Sequence, residues 1–277
     1  MVEKPATPAA TYTHGHHESV LAAHRWRTIG NSAAYLEPHL VAGRSLLDVG
    51  CGPGTITAEF AERLAPGRVV GLDAAADAIA AAQGHATEVG AAVELVQGDA
   101  LALPFADGAF DIVHTHQTLQ HVAEPVAMLR EMARVAVPGG IVAAREVDYA
   151  ATAIHPLLPG LELWLDLYRR VHRGNGGEPD AGRHLAAWAR AAGLRSVTPT
   201  ASVWLFSTPA DRAWWGGAWA ERVLHSSFAR DAVDGGHAEQ RELQAISEAW
   251  TAWTADDDAV LTMTHVEVVA TTDPAEG

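Results

Sequence analysis

Basic residues are scarce in this chain, whose 277 residues include 19 Lys and Arg against 34 Asp and Glu, for a formal charge of −15. A protein that binds nucleic acid uses Lys and Arg to neutralise phosphates, and anionic membrane surfaces attract the same side chains. We therefore expect no nucleic acid and no membrane among its partners. A small molecule is the expected substrate.

Cysteine occurs once, at Cys51, so an internal disulfide is impossible. No stretch reaches the roughly 18 apolar residues of a transmembrane helix, and the segment up to Thr13 lacks the apolar core of a signal peptide. These absences favour a reducing compartment. We expect a cytoplasmic protein that is a monomer or a homodimer.

Short apolar segments alternate with amphipathic ones over the first half of the chain, which is typical of parallel β-strands joined by helices. One predicted helix, Thr55–Leu64, repeats its apolar residues at helical spacing. Two helices are predicted within 209–257. The predicted strands are Ser45–Val49, Arg68–Leu72, Val93–Gln97, Phe110–Thr115, Ile141–Val147, Arg195–Phe206 and Ala259–Ala270.

A glycine-rich turn, Asp48-Val49-Gly50-Cys51-Gly52-Pro53-Gly54, joins the first strand to the first of these helices. Glycine allows tight turns and close approach to a ligand, and the helix start offers free N–H groups. The third glycine comes one residue too early for the dinucleotide pattern. The carboxylate of Asp48 would repel a pyrophosphate but suits the cationic groups of S-adenosylmethionine (SAM). The turn therefore favours SAM and leaves NAD as an alternative.

Acidic residues also end the next two strands. Asp73 can accept hydrogen bonds from both hydroxyls of a ribose, in SAM and NAD enzymes alike, and Asp99 can accept one from an adenine amino group. The alternative is that Asp48, Asp73 and Asp99 only cap turns or helices. Three acids at successive strand ends favour the cofactor interpretation.

The segments LLDVGCGPGTIT (46–57), Gly98-Asp99-Ala100, Leu103-Pro104-Phe105 and Pro138-Gly139-Gly140 resemble the class I SAM-dependent methyltransferases of the UbiE-like group, most strongly over 35–148. The resemblance implies an α/β, Rossmann-like, seven-stranded sheet with helices on both faces, an antiparallel final strand and helical cap insertions. It also implies SAM as cofactor, S-adenosylhomocysteine as product and a small metabolite methylated on oxygen, nitrogen or carbon. A SAM-binding enzyme of the same fold that does not methylate is the alternative. The implied cofactor contacts are Asp48, Gly50, Gly52, Thr55, Asp73, Ala74, Asp99, Ala100 and His116.

The segment before the first strand is predicted to cover the cofactor, as in the resembling family. Arg27 and Asn31 on this segment are candidates to hold the SAM carboxylate and amino group. The histidine cluster at 14–17 has three interpretations: a solvated segment, part of a lid, or a metal site. No acid or cysteine nearby is spaced to complete a metal site, so we predict no metal. The predicted division is a lid (1–34), a cofactor-binding core (35–150) and a cap that completes the sheet and forms the acceptor pocket (151–277).

Candidate bases lie at the ends of the fourth and fifth strands. His116 has a side chain that titrates near neutral pH, which suits removal of a proton from an acceptor, although it could equally pack or contact SAM. Glu146 and Asp148 are further candidates. Six tryptophans in the last third form either the core of the cap or an aromatic wall around the acceptor, including a cage for a cationic amine.

Overall fold

One mixed sheet organises the protein, and the computed structural model describes residues 26–274. Five buried or half-buried strands run parallel in the order β3-β2-β1-β4-β5, and β8 continues the sheet antiparallel to β5. The strands are β1 (Leu46–Val49), β2 (Val69–Asp73), β3 (Glu94–Gln97), β4 (Phe110–His116), β5 (Ala136–Val147), β6 (Ala153–His155), β7 (Arg195–Phe206) and β8 (Val260–Thr271).

The late strands complete the predicted topology. β7 pairs antiparallel along one side of β8, so β8 lies between β5 and β7. This arrangement confirms the α/β, Rossmann-like, seven-stranded prediction with its antiparallel final strand. The three-residue strand β6 is an addition that the sequence pattern did not indicate; it pairs with the start of β8 beyond the end of β5.

Helices cover both faces of the sheet. They are α1 (Ile29–Ser32), α2 (Thr55–Leu64), α3 (Ala76–Val89), α4 (Pro125–Val135), α5 (Pro159–Gly174), α6 (Leu185–Ala191), α7 (Pro209–His225), α8 (Ser227–Asp234) and α9 (Gln240–Ala255). The prediction of two helices within 209–257 was wrong, because the extended backbone of Ser226 separates α7 from α8. A six-residue 3-10 helix at 34–39 follows α1 after Ala33.

The cap formed by α5, α7, α8 and α9 has a core of its own. Trp164, Trp219, Trp250 and Trp253 are fully buried in it and meet one another at steep angles, with Trp164 4.9 Å from Trp250 between ring centroids. Edge-to-face packing of this kind is favourable for aromatic rings. These four tryptophans therefore form the core of the cap rather than a wall around an acceptor.

Candidate active site

The glycine-rich turn adopts backbone angles that only glycine tolerates easily. The φ angles of Gly50, Gly52 and Gly54 are 76°, 54° and 77°. A Cβ atom on Gly50 would lie 2.2 Å from Oγ1 of Thr118, which belongs to the loop after β4. The missing side chains let this turn lie against the neighbouring loop and keep the start of α2 open to a ligand.

Asp73 fastens the turn to the end of β2. One carboxylate oxygen accepts a hydrogen bond from the backbone N–H of Gly52 at 3.0 Å, and the other accepts one from Ala75 at 2.9 Å. Each oxygen keeps a second lone pair, so the carboxylate can still accept bonds from ribose hydroxyls. The carbonyl oxygen of Ala74, the residue between Asp73 and Ala75, accepts a hydrogen bond from Nε2 of Gln97 at 3.0 Å.

Asp48 has an internal position. Its side chain is almost wholly buried, and its two oxygens accept hydrogen bonds from Thr57 Oγ1 at 2.6 Å and from Nδ1 of His114 at 2.8 Å. The carboxylate thus ties β1 to α2 and β4 from behind the turn. Its predicted contact with SAM stays a prediction, because the structure gives this side chain two partners within the protein.

Asp99 follows β3 at the same carboxyl edge of the sheet. One of its oxygens accepts a bond from the backbone N–H of Leu101 at 2.8 Å, and the neighbouring Ala100 lies half-buried in this turn. Thr55 is buried at the first position of α2. The predicted cofactor residues therefore gather around the carboxyl ends of β1, β2 and β3, where open α/β sheets bind their ligands.

The segment 26–39 packs against α2, the loop after β4 and β7, and its two predicted cofactor contacts behave differently. Asn31 forms a capping box with Thr28, and its side-chain nitrogen also donates to the carbonyl of Trp26 at 2.9 Å. Arg27 donates to Oε1 of Gln117 at 2.6 Å and lies over the ring of Trp204. Arg27 thus reaches the loop after β4, whereas Asn31 shapes the segment itself. The histidine cluster at 14–17 lies outside the described residues.

His116 is buried at the end of β4, and neither ring nitrogen has a hydrogen-bond partner among residues 26–274. Burial, together with Arg27 and Arg145 nearby, holds its pKa well below the usual range of a histidine. His116 is therefore a neutral imidazole that offers one donor and one acceptor. A group with so low a pKa is a weak base, which counts against the proton-removing role.

The two acids at the end of β5 are both engaged. Oε1 of Glu146 accepts bonds from the backbone N–H groups of Thr118 and Leu119, at 2.8 and 2.7 Å, and so holds the loop after β4. Burial raises the pKa of Glu146 to about 8. Asp148 accepts two bonds from Arg183, both of 2.7 Å, which leaves it poorly placed to act as a base.

A row of charged side chains crosses the sheet beside His116, and sequence reasoning missed it. The pairing register aligns His116 with Arg145 and Arg145 with Glu267 on three neighbouring strands. All three side chains are buried. The sequence did contain a signal for this row, because Arg145 and Glu267 lie within predicted strands that are otherwise largely apolar. Charged side chains are rarely buried unless they are paired.

Residues 26–274 contain neither a metal-binding cluster nor a membrane-spanning helix. No group of three or more His, Cys, Asp or Glu side chains is arranged to hold a metal ion in this part of the chain. None of its helices is both long enough and apolar enough to cross a membrane.

Comparison with known proteins decides the family. Residues 47–144 match the family described as "Methyltransferase domain". An uncharacterized methyltransferase of Schizosaccharomyces pombe is 33% identical over 278 residues, which cover 97% of this chain and 98% of the relative. The chain belongs to the class I SAM-dependent methyltransferases. NAD-dependent oxidation is thereby set aside.

Two further similarities agree with this assignment. A demethylmenaquinone methyltransferase of Lactococcus lactis is 35% identical over 130 residues, 46% of this chain and 49% of that relative. The crystal structure of a putative methyltransferase from Bacillus halodurans matches with a TM-score of 0.56 at 18% identity, over 87% of this chain and 98% of that one. At that identity the second similarity concerns the fold alone.

The residues present fit SAM. The positive-φ glycines form a tight turn before α2, and Asp73 and Asp99 keep acceptor capacity at the strand ends. A nucleoside with vicinal hydroxyls and an exocyclic amino group offers donors to both acids. The methyltransferase thus has a cofactor cradle of the kind that its family requires.

Proposed function

We propose that this methyltransferase moves the methyl group of SAM to an oxygen, nitrogen or carbon atom of a small metabolite. The observation that carries the proposal is the enclosure of the groups beside the cofactor cradle. His116 is 5% exposed and Glu146 is 0% exposed. Such enclosure favours a small acceptor over a macromolecular surface, and a chain with a formal charge of −15 suits a nucleic-acid acceptor poorly.

Bound SAM supplies an activated methyl group on a positively charged sulfur, a good leaving group. The task of the protein is then to align the acceptor and to exclude water, which can supply roughly 7–11 kcal/mol of a barrier in well-oriented systems. Asp73 and Asp99 are assigned to the ribose and the adenine, and Gly50 and Gly52 to close backbone contact. Arg27 and Asn31 remain candidates for the amino-acid end of SAM.

The two predicted bases, His116 and Glu146, are better suited to hydrogen bonding and positioning than to removing a proton. His116 would accept or donate a hydrogen bond as a neutral imidazole, consistent with its burial beside two arginines. Glu146 acts through the loop after β4, because its carboxylate holds two backbone N–H groups of that loop. The segment 1–34 as a lid and 151–277 as the acceptor cap complete the proposed organisation.

Binding of S-adenosylhomocysteine and of its 2′,3′-dideoxy analogue tests the cofactor assignment. Calorimetry on the wild type should show that the analogue binds about tenfold more weakly, because Asp73 loses charge-assisted bonds. In Asp73→Asn the two ligands should bind alike, even if both bind more weakly because the turn has loosened. If the wild type and the variant prefer S-adenosylhomocysteine over the dideoxy analogue by the same factor, Asp73 does not contact the ribose.

Release of S-adenosylhomocysteine from SAM in the presence of mixed small acceptors tests the reaction itself. Turnover that requires an acceptor supports the proposal. Binding of the cofactor product without turnover on any oxygen, nitrogen or carbon acceptor would contradict it.

A further inference from the structure

A buried polar cluster lies between the sheet and the segment 26–39, next to the end of β4. It consists of Arg27, Tyr35, His116, Gln117, Arg145, Ser202, Trp204, His265 and Glu267. His265 is 4.3 Å from Trp204 between ring centroids, and its Nε2 lies 2.7 Å from Nε2 of Gln117. The cluster therefore connects β4, β5, β7 and β8 at one place.

Arg145 is the central cation of this polar cluster. Its side chain is 1% exposed, and one edge of its guanidinium is occupied: Nε and Nη2 donate to Ser202 Oγ at 3.2 and 3.0 Å, and Nε lies 3.3 Å from Oε1 of Glu267. Glu267 is held in turn by the hydroxyls of Ser202 and Thr200. The ion pair thus fixes the orientation of the guanidinium.

The opposite corner of the guanidinium has no partner. Nη1 of Arg145 makes no hydrogen bond to any residue of 26–274, and neither do the hydroxyl of Tyr35 and the two ring nitrogens of His116. Buried polar atoms are almost always paired, because an unpaired one is destabilising. Several such atoms in one cluster indicate a place that a polar ligand fills.

The charges in the polar cluster favour an anion. Arg27 and Arg145 carry positive charge against the carboxylate of Glu267, while burial and the nearby arginines hold the pKa values of His116 and His265 well below their usual range. Of the two further acids that act on this cluster, Asp48 is bonded to Thr57 and His114, and burial raises the pKa of Glu146 to about 8. Both guanidinium groups also lie over the ring of Trp204, with Arg27 5.7 Å and Arg145 5.0 Å from its centroid. Trp204 therefore has cation partners already and leaves no aromatic cage for an amine.

We propose that Nη1 of Arg145 binds an anionic oxygen of the methyl acceptor, so that the acceptor is a carboxylate or a phenolate rather than an amine. The inference rests on the proposed function, since it places the acceptor beside the SAM cradle. A guanidinium pairs with such an oxygen through short, charge-assisted hydrogen bonds. His116, aligned with Arg145 across β4 and β5, would direct the rest of the acceptor as a neutral hydrogen-bonding group.

Calorimetry on the full chain saturated with S-adenosylhomocysteine tests the proposal with four probes: benzoate, 4-nitrophenolate, benzamide and 4-nitroanisole. Each anion is compared with its uncharged counterpart at about pH 8, where the nitrophenol is ionised. We expect at least one anion to bind about tenfold more tightly than its counterpart. The preferred anion then identifies the source of the charged oxygen, a carboxylate or a phenolate.

Two variants should change anion binding in opposite directions. Arg145→Met should weaken it about tenfold, and Glu267→Gln should strengthen it several-fold because it removes the opposing charge. Arg212→Met is the matched control, because Arg212 is also buried but is bonded to Ser207 and Asp257 at the cap. If Arg145→Met fails to fold, the gain expected for Glu267→Gln still tests the proposal.

Several outcomes would overturn the assignment of Arg145. Equal binding of anions and uncharged probes, or binding of neither, would contradict it, and so would unchanged anion affinity in Glu267→Gln. A loss of S-adenosylhomocysteine affinity in Arg145→Met as large as the loss of anion affinity would show that the guanidinium holds the carboxylate of the cofactor instead. Failure of the wild type to bind S-adenosylhomocysteine would contradict the proposed function, which is a separate result.

Discussion

Replacement of Gly50 by Ala should disturb the cofactor turn through two separable effects. The first is the backbone, because φ is 76° at this position and a left-handed conformation costs an L-residue roughly 1–2 kcal/mol. The second is a collision: the new Cβ would lie 2.2, 2.7 and 2.9 Å from Oγ1, Cγ2 and Cβ of Thr118. Overpacking of this kind typically costs about 1–3 kcal/mol.

Gly43 provides the matched control for the backbone effect. Its φ angle is 88°, and a Cβ there would meet nothing within 4 Å. Gly43→Ala should therefore lower the free energy of unfolding by roughly 1–2 kcal/mol through the backbone alone. Gly50→Ala should lower it by about 2–5 kcal/mol, the sum of both effects. Urea unfolding of the two variants beside the wild type measures the difference.

A double variant isolates the collision with Thr118. Gly50→Ala combined with Thr118→Gly removes all three crowded atoms, so the collision part of the loss should be recovered in a double-mutant cycle. Gly50→Ala should also weaken binding of S-adenosylhomocysteine about tenfold by moving the turn, whereas Gly43→Ala should not. Equal stabilities of the two single variants, or the absence of coupling in the cycle, would refute this account of the turn.

Two further predictions concern buried acids. Asp48→Asn should lower the free energy of unfolding by about 1–3 kcal/mol, measured by urea unfolding. The reason is that Thr57 and His114 both donate to the native carboxylate, so the amide nitrogen of Asn would face one of these donors. A negligible loss would contradict the assigned hydrogen bonds. For Glu146 the folded-state pKa of about 8 lies above the ordinary value of 4.5, so the folded protein binds more protons than the unfolded chain between these pH values. The contribution of Glu146 to stability therefore decreases as pH rises from 4.5 to 8. Glu146→Gln should remove this part of the decrease, and parallel pH profiles of the two proteins would count against it.

The residues of the candidate cofactor site could largely be predicted from their order along the chain. The turn at 48–54, Asp73 and Asp99 each follow a short strand, and parallel strands bring their carboxyl ends to one edge. Local pattern therefore determined the class of fold and the candidate place of the cofactor. It did not determine the internal role of Asp48, because that depends on contacts with α2 and β4.

The acceptor side required the tertiary structure. Arg145, Ser202 and Glu267 are far apart along the chain, and only the register of β5, β7 and β8 aligns them. That register places charged residues on one buried face, beside His116, where pairing and desolvation set their protonation. Sequence by itself thus determined the fold class and the candidate SAM-binding residues of this methyltransferase. The packing of its late strands decided which charges lie together at the proposed acceptor site.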